Sequence, residues 1–181
     1  MKTTEFFCPA CNGVAFGVPA LSLHLPDPVI DASMQGARIS SSPDVCQILY
    51  PKPKRHFVRS NIGIPVGAGI KKLEYGCWIE LSREDLRKFL NANQSRKPLE
   101  FHGHLANKIP GLEDSYGAPV LIHSKGKSLQ SKFRPLPAIH SLYTDYSRGI
   151  SHQEADLRVE NWMRIVNIVP GAHHHPKSPK N

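Results

Sequence analysis

Two cysteines near the start of the chain have the spacing of a metal-binding knuckle. Cys8 and Cys11 are separated by two residues, so both sulfurs can meet one tetrahedral ion while backbone N–H groups point at them. Asn12 and Gly13 follow directly and suit the tight turn that such a knuckle needs. The pair is half of a zinc site, because the sequence contains no second Cys-x-x-Cys.

The other ligands of a zinc site would come from elsewhere in the chain. Cys46 is the available third ligand, so the sequence predicts a structural zinc ion on Cys8, Cys11 and Cys46. The fourth ligand would be one of three histidines: His24, His56 or His102. The alternative is that Cys8 and Cys11 are ordinary thiols. A redox dithiol is disfavoured, because no amphipathic helix of a βαβ unit follows the pair.

A second set of residues could support binding or chemistry without the cysteines. His102 and His104 are two residues apart, so on a strand they would share a face and could bind a metal or shuttle a proton. In a polar loop, histidines are more often solvated or hydrogen-bonded. Arg59 lies opposite the apolar face of a strongly patterned strand. It could anchor a ligand, or pair across the strands with Glu74 or Glu80.

Common catalytic motifs are absent from the sequence. It contains no phosphate-binding glycine loop, no Gly-x-Ser-x-Gly elbow and no His-Glu-x-x-His. Two hypotheses of function remain. The first is a non-enzymatic binding module that recognises a partner protein and carries a structural zinc knuckle. The second is a hydrolase-like enzyme that uses His102 or His104 with Arg59 and an acid such as Asp44.

The middle of the chain, which must position these residues, has the pattern of a β-sheet. Residues 56–66 and 73–81 alternate apolar and polar positions, as half-buried strands do. Gly67-Ala68-Gly69 between them predicts an antiparallel hairpin. A shorter run over residues 45–50 predicts a third strand. Residues 120–123 and 128–133 predict a second hairpin, whereas residues 20–42 are predicted to be loop with a helical turn near residues 30–35.

Two helices are predicted to cover this sheet. Ser82 and Asp85 resemble a capping box, so a helix of about ten residues should begin at Arg83. Ser151 and Glu154 form a full capping box before a second apolar stripe at helical spacing. The predicted fold class is therefore α+β, with an antiparallel sheet of about five strands covered by two main helices.

Length and composition indicate one domain with distinct ends. Residues 1–19 are predicted to be a Cys-x-x-Cys knuckle segment, residues 20–168 a single α+β domain and residues 169–181 a disordered tail. The formal net charge of the 181-residue chain is +8, in short separate groups rather than one basic stripe. This pattern predicts a solvated basic surface and disfavours a nucleic-acid partner.

The sequence also predicts the compartment. No apolar run approaches the roughly 18 residues of a membrane span. The N-terminus lacks the apolar core of a secretory signal. We therefore expect a cytoplasmic protein without membrane association, whose cysteines are reduced thiols or metal ligands.

The order of several short motifs resembles a known bacterial family, catalogued as domain of unknown function number 2199. The resemblance covers roughly residues 5–166 and depends on these segments: Cys8-x-x-Cys11, Asp44-Val45-Cys46, His56-Phe57-Val58-Arg59, Ile62-Gly63-Ile64-Pro65-Val66, Gly76-Cys77-Trp78-Ile79-Glu80-Leu81-Ser82, Gly103-His104-Leu105-Ala106-Asn107-Lys108-Ile109-Pro110, Arg134-Pro135 and Gly149-Ile150-Ser151. It implies relatives but no activity. It also implies a glycine, a histidine and a tryptophan where this chain has Asn12, Ala15 and His104. The missing histidine weakens the zinc interpretation, and His104 suggests a changed pocket or a surface position.

Overall fold

A computed structural model describes residues 4–8, 13–17, 21–69, 71–95, 98–124, 131–137 and 140–168. Its strands are β1 Thr4–Cys8, β2 Gly13–Gly17, β3 Leu21–Ser22, β4 Arg38–Ser41, β5 Val45–Tyr50, β6 Arg55–Val66, β7 Lys71–Leu81, β8 Leu99–Leu105, β9 Pro119–Ser124 and β10 Ser131–Pro135. Its helices are α1 Asp27–Met34, α2 Arg83–Ser95, the 3-10 helix Glu113–Ser115, α3 Ser141–Arg148 and α4 His152–Ile168. The tail predicted over residues 169–181 lies outside the described residues.

Five strands close into a barrel. From β6 to β10, each strand pairs antiparallel with the next, and β10 then pairs with β6 in parallel. An up-and-down run of five strands ends in the direction in which it began, so the closing pair is parallel. At this pair the Ser131 hydroxyl donates to the Ser60 hydroxyl at 3.0 Å. Further strands, β3 beside β7 and then β5 and β4 beside β6, extend the barrel sheet.

The α+β class is confirmed, but the simple antiparallel sheet predicted from the sequence is wrong, because five strands close into a barrel. Alternation identified the buried faces correctly: Val58, Ile62 and Ile64 of β6 are at most 1% exposed inside the barrel. Both predicted hairpins are present, as β6–β7 and β9–β10. Alternation is identical in open and closed sheets, so it carried no signal for closure. Closing the barrel pairs edges that an open sheet would expose.

The two predicted helices begin where their capping boxes place them. Ser82 Oγ accepts the Asp85 N–H at 3.0 Å and donates to Asp85 Oδ2 at 2.7 Å, and α2 runs for 13 residues from Arg83. Ser151 Oγ accepts the Glu154 N–H at 3.0 Å at the start of α4. Leu86 and Phe89 of α2 pack into the barrel core, as do apolar residues of α3 and α4. Among the described residues, no helix combines the length and hydrophobicity that crossing a bilayer requires.

A second, smaller core lies on the outside of β6 and β7. Here α1, β4 and β5 cover the outward side chains of the hairpin, although the stretch containing α1 and β4 was predicted to be mostly loop. The buried members of this outer core are Val29, Cys46, Ile48, Phe57, Trp78 and Ala106. The paired strands β6 and β7 are therefore buried on both faces over part of their length.

One buried amide joins the barrel to this outer layer. Asn107, the second residue after β8, is fully buried. Its Oδ1 accepts the Trp78 N–H of β7 at 2.8 Å. Its Nδ2 donates to the Leu25 carbonyl at 2.8 Å and to Asp27 Oδ1, at the start of α1, at 2.9 Å. The oxygen and the nitrogen of the side chain both have partners, so this buried polar group stabilises rather than penalises the fold.

We expect Asn107→Ala to destabilise the protein by at least about 2 kcal/mol, because the buried Trp78 N–H and Leu25 carbonyl lose their partners. Urea unfolding followed by tryptophan fluorescence measures this change. The matched control is Asn91→Ala on the exposed face of α2, which should shift the unfolding free energy by less than about 0.5 kcal/mol. Equal effects of the two substitutions would contradict the role assigned to Asn107.

Candidate functional site

A groove of about 660 Å³ opens on the barrel where β7 ends and α2 begins. Its polar residues come from five segments: the residues before β6, β6 itself, β7, α2 and β8. Pro119 and Leu136 complete its wall. The polar lining residues are Lys54, Arg55, His56, Glu80, Ser82, Arg83, Asp85, His102 and His104. Its volume lies in the range of pockets that bind small molecules.

Three histidines singled out from the sequence line this groove: His56, His102 and His104. His102 and His104 are exposed on β8, while Phe101, Gly103 and Leu105 between and beside them are buried. The two imidazoles therefore share the outer face of a strand, and the polar loop that the sequence favoured for them is wrong. His104 lies directly opposite Glu80 in the β7–β8 ladder.

Gly103 lets β8 approach β7 closely enough to form this wall. A Cβ at position 103 would lie 2.7 Å from the Glu80 carbonyl oxygen and 2.6 Å from Ile79 Cγ2. Real Cβ atoms do not make such contacts with backbone, so only glycine fits without displacing a strand. The flanking histidines are consequently held against the end of β7.

The shortest ion pair in the groove, between Arg55 and Glu80, neutralises one of its cations. Arg55 donates from Nε and Nη2 to the two oxygens of Glu80 at 2.7 and 2.6 Å, and its guanidinium lies 5.4 Å from the Phe57 ring centroid. The hydrogen bonds to Glu80 raise the pKa of Arg55 above its usual value. In the part of the chain that is described, Lys54 and Arg83 form no ion pair.

His56 lies at the back of the groove and is only 6% exposed. Its Nδ1 is 3.2 Å from Gln47 Oε1. Burial lowers the pKa of His56, and the positive charges of Arg83 and Lys54 lower it further. The positive charges of Arg83 and Lys54 therefore reach the interior of the groove, where they favour the neutral form of the His56 imidazole.

We expect His56 to make the folded state less stable in mild acid. Its pKa is lower in the folded than in the unfolded protein, so the unfolded state binds the proton more readily as pH falls below about 6.5. Unfolding free energies measured between pH 7.5 and 5.5 should fall less steeply in His56→Gln than in the unmodified protein. The control is the exposed His24→Gln, which should keep the original pH dependence. Identical slopes in all three proteins would contradict this assignment.

Arg59 does not join the histidines in the groove. It lies opposite Trp78 on the outer face of β6, and its guanidinium hydrogen-bonds to the Ser22 hydroxyl. Its backbone N–H donates to the Asp44 carbonyl at 2.9 Å. The pairing with Glu80 considered from the sequence is not made, because Arg55 occupies both oxygens of that carboxylate.

Sequence reasoning missed most of the groove. The sequence indicates Lys54 and Arg55 only as part of a diffuse basic charge, His56 only as a candidate zinc ligand, and Arg83 only as the start of a helix. The available signal was the position of these charges at one end of predicted elements: the start of β6 and the start of α2. The hairpin register, in which His56 is opposite Leu81, brings the two starts together.

The predicted zinc ligands are described only in part. Cys8 ends β1 opposite Gly13 of β2, and Cys11 lies outside the described residues. Cys46 is fully buried in the outer core, where burial raises the pKa of its thiol. Within the described residues, no three histidine, cysteine, aspartate or glutamate side chains are grouped to hold a metal ion. The zinc site on Cys8, Cys11 and Cys46 stays a prediction.

Comparison with known proteins agrees with the family resemblance read from the motifs. The sequence profile of a bacterial family, described as "Uncharacterized protein conserved in bacteria (DUF2199)", matches residues 7–150. No curated protein and no solved structure matches the chain. The match includes every strand of the barrel and every polar residue that lines the groove.

Proposed function

This chain belongs to the bacterial DUF2199 family, and we propose that it is a non-enzymatic binding module whose recognition site is the groove at the start of α2. The observation that carries the proposal is the convergence of polar side chains from five segments on one concave surface beside apolar residues. Binding sites typically combine an apolar wall with a few placed polar groups.

The arrangement of the polar groups favours binding over the alternative, a hydrolase-like reaction. That alternative required His102 or His104 together with Arg59 and an acid. Arg59 is held at Ser22 and does not line the groove. Glu80, opposite His104, already accepts two hydrogen bonds from Arg55, which leaves its oxygens poorly placed to serve an imidazole.

A blocking substitution tests the proposed recognition site. His104→Trp places a large ring at the mouth of the groove, and His24→Trp makes the same change at an exposed histidine outside it. Thermal-shift screening of small molecules and short peptides should yield ligands that stabilise the unmodified protein and His24→Trp but not His104→Trp. The outcome that opposes the proposal is a set of ligands unaffected by His104→Trp, or no ligand at all.

We also propose a structural zinc ion on the N-terminal cysteine pair, with Cys46 as its third ligand. The β1–β2 hairpin favours a metal site at Cys8 and Cys11, because the last residue pair of this hairpin places Cys8 opposite Gly13. The four-residue connection between these strand ends contains Cys11. A knuckle in which two sulfurs meet one ion requires such a return of the chain.

Elemental analysis of the purified protein tests the zinc ion. We expect about one equivalent of zinc in the unmodified protein and loss of it in Cys8→Ser and Cys11→Ser, because structural zinc needs its thiolates. Cys77→Ala is the control, since Cys77 is buried in the barrel core and should not affect the metal content. Zinc below about a tenth of an equivalent would overturn the site. Retention of zinc in Cys46→Ser would remove Cys46 from it.

A further inference from the structure

We propose that the groove binds a small organic anion, with its phosphate or carboxylate group between Lys54 and Arg83 and its apolar part against Leu81, Pro119 and Leu136. This inference depends on the binding function proposed above and names the chemistry of the ligand.

The distribution of charge in the groove leaves two cations free for a ligand. The charged and titratable groups that face it are Lys54 before β6, Arg55 and His56 of β6, Glu80 of β7, Arg83 and Asp85 of α2, and His102 and His104 of β8. Both carboxylates among them are engaged. Glu80 binds Arg55 through two hydrogen bonds, and Asp85 accepts the Ser82 hydroxyl at the helix cap. Lys54 and Arg83 have no such partner in the described part of the chain.

The two free cations act on a common volume. Both Arg83 and Lys54 contribute to the depressed pKa of His56, and all three residues line the groove. Arg83 is also the first residue of α2, where the backbone dipoles of the helix add positive potential. An anion entering the groove would meet both side chains and could form charge-assisted hydrogen bonds with each.

Apolar residues also line the groove, which favours an organic ligand over an inorganic ion alone. Leu81 is 5% exposed, and Pro119 and Leu136 are half-buried beside it. A ligand that carried only charge would leave the exposed parts of Pro119 and Leu136 in water. A ligand with an apolar part would cover them and gain about 25 cal/mol for each Å² of apolar surface removed from water.

NMR titration of the full chain at constant ionic strength tests the inference, with inorganic sulfate, benzoate and phenyl phosphate as probes. Bound anions should shift backbone amide signals of residues 54–56, 80–83 and 102–104. Phenyl phosphate and benzoate distinguish a phosphate from a carboxylate ligand. The tighter of the two should exceed sulfate by at least about fivefold, because its ring covers the apolar wall.

Substitutions of opposite sign make the charge argument specific. Lys54→Gln and Arg83→Gln should each weaken binding of the tighter probe by about tenfold, as loss of a charge-assisted hydrogen bond does. Arg87→Gln, an equal change of charge one turn further along α2 and outside the groove lining, should have little effect. Glu80→Gln should strengthen binding, because it releases Arg55. A merely structural role of Glu80 would not increase affinity.

Equal loss of binding in Arg87→Gln and Arg83→Gln, or shifts spread over the whole basic surface, would overturn the inference. If all three probes fail while ligands sensitive to His104→Trp are found, the inference fails and the proposed binding function stands. If nothing binds the groove, both fail.

Discussion

The antiparallel pairing of β6 with β7 is the constraint on which the rest of the structure depends. It joins eleven residue pairs, from His56 opposite Leu81 to Val66 opposite Lys71. One face of this ladder supplies the barrel core, and part of the other supplies Phe57 and Trp78 to the core beneath α1. A slip by one residue would exchange the two faces, so both cores fix the same register. Asn107 then attaches α1 to β7 through Trp78.

The groove follows from where this ladder ends. The Ser82 cap turns the chain from β7 directly into α2, which places Arg83 beside the start of β6. Gly103 brings β8 against the same end of β7 and presents two histidines there. The polar side chains of the groove are therefore positioned by elements of the barrel, not by a long loop. Sites built on strands and helix starts hold their geometry well.

Particular residues show what the sequence could predict. The alternation through Val58, Ile62 and Ile64 identified the buried face, and Ser82 identified the start of α2, because both signals are local. Closure of the barrel depends on β10 reaching β6, a contact between residues about 70 apart in sequence that no local pattern encodes. The groove could not be predicted from the sequence for the same reason, because its cations come from separate segments of the chain. His102 and His104 were identified from their spacing. Arg59 was a candidate ligand anchor, but its side chain binds the Ser22 hydroxyl, 37 residues away in sequence, which no local pattern indicates.

The fold also changes the meaning of the chain's positive charge. As composition, a net charge of +8 predicts only a diffuse attraction to anions, which salt screens. In the structure, Arg55 is committed to Glu80, Lys88 to Glu84, Lys108 to Glu113, and Arg158 to Asp145 and Glu154. Lys54 and Arg83 have no such partner among the described residues, and they line a groove that also has apolar residues. The same charge that is unselective when spread over a surface can become selective when shape and an apolar wall limit what reaches it.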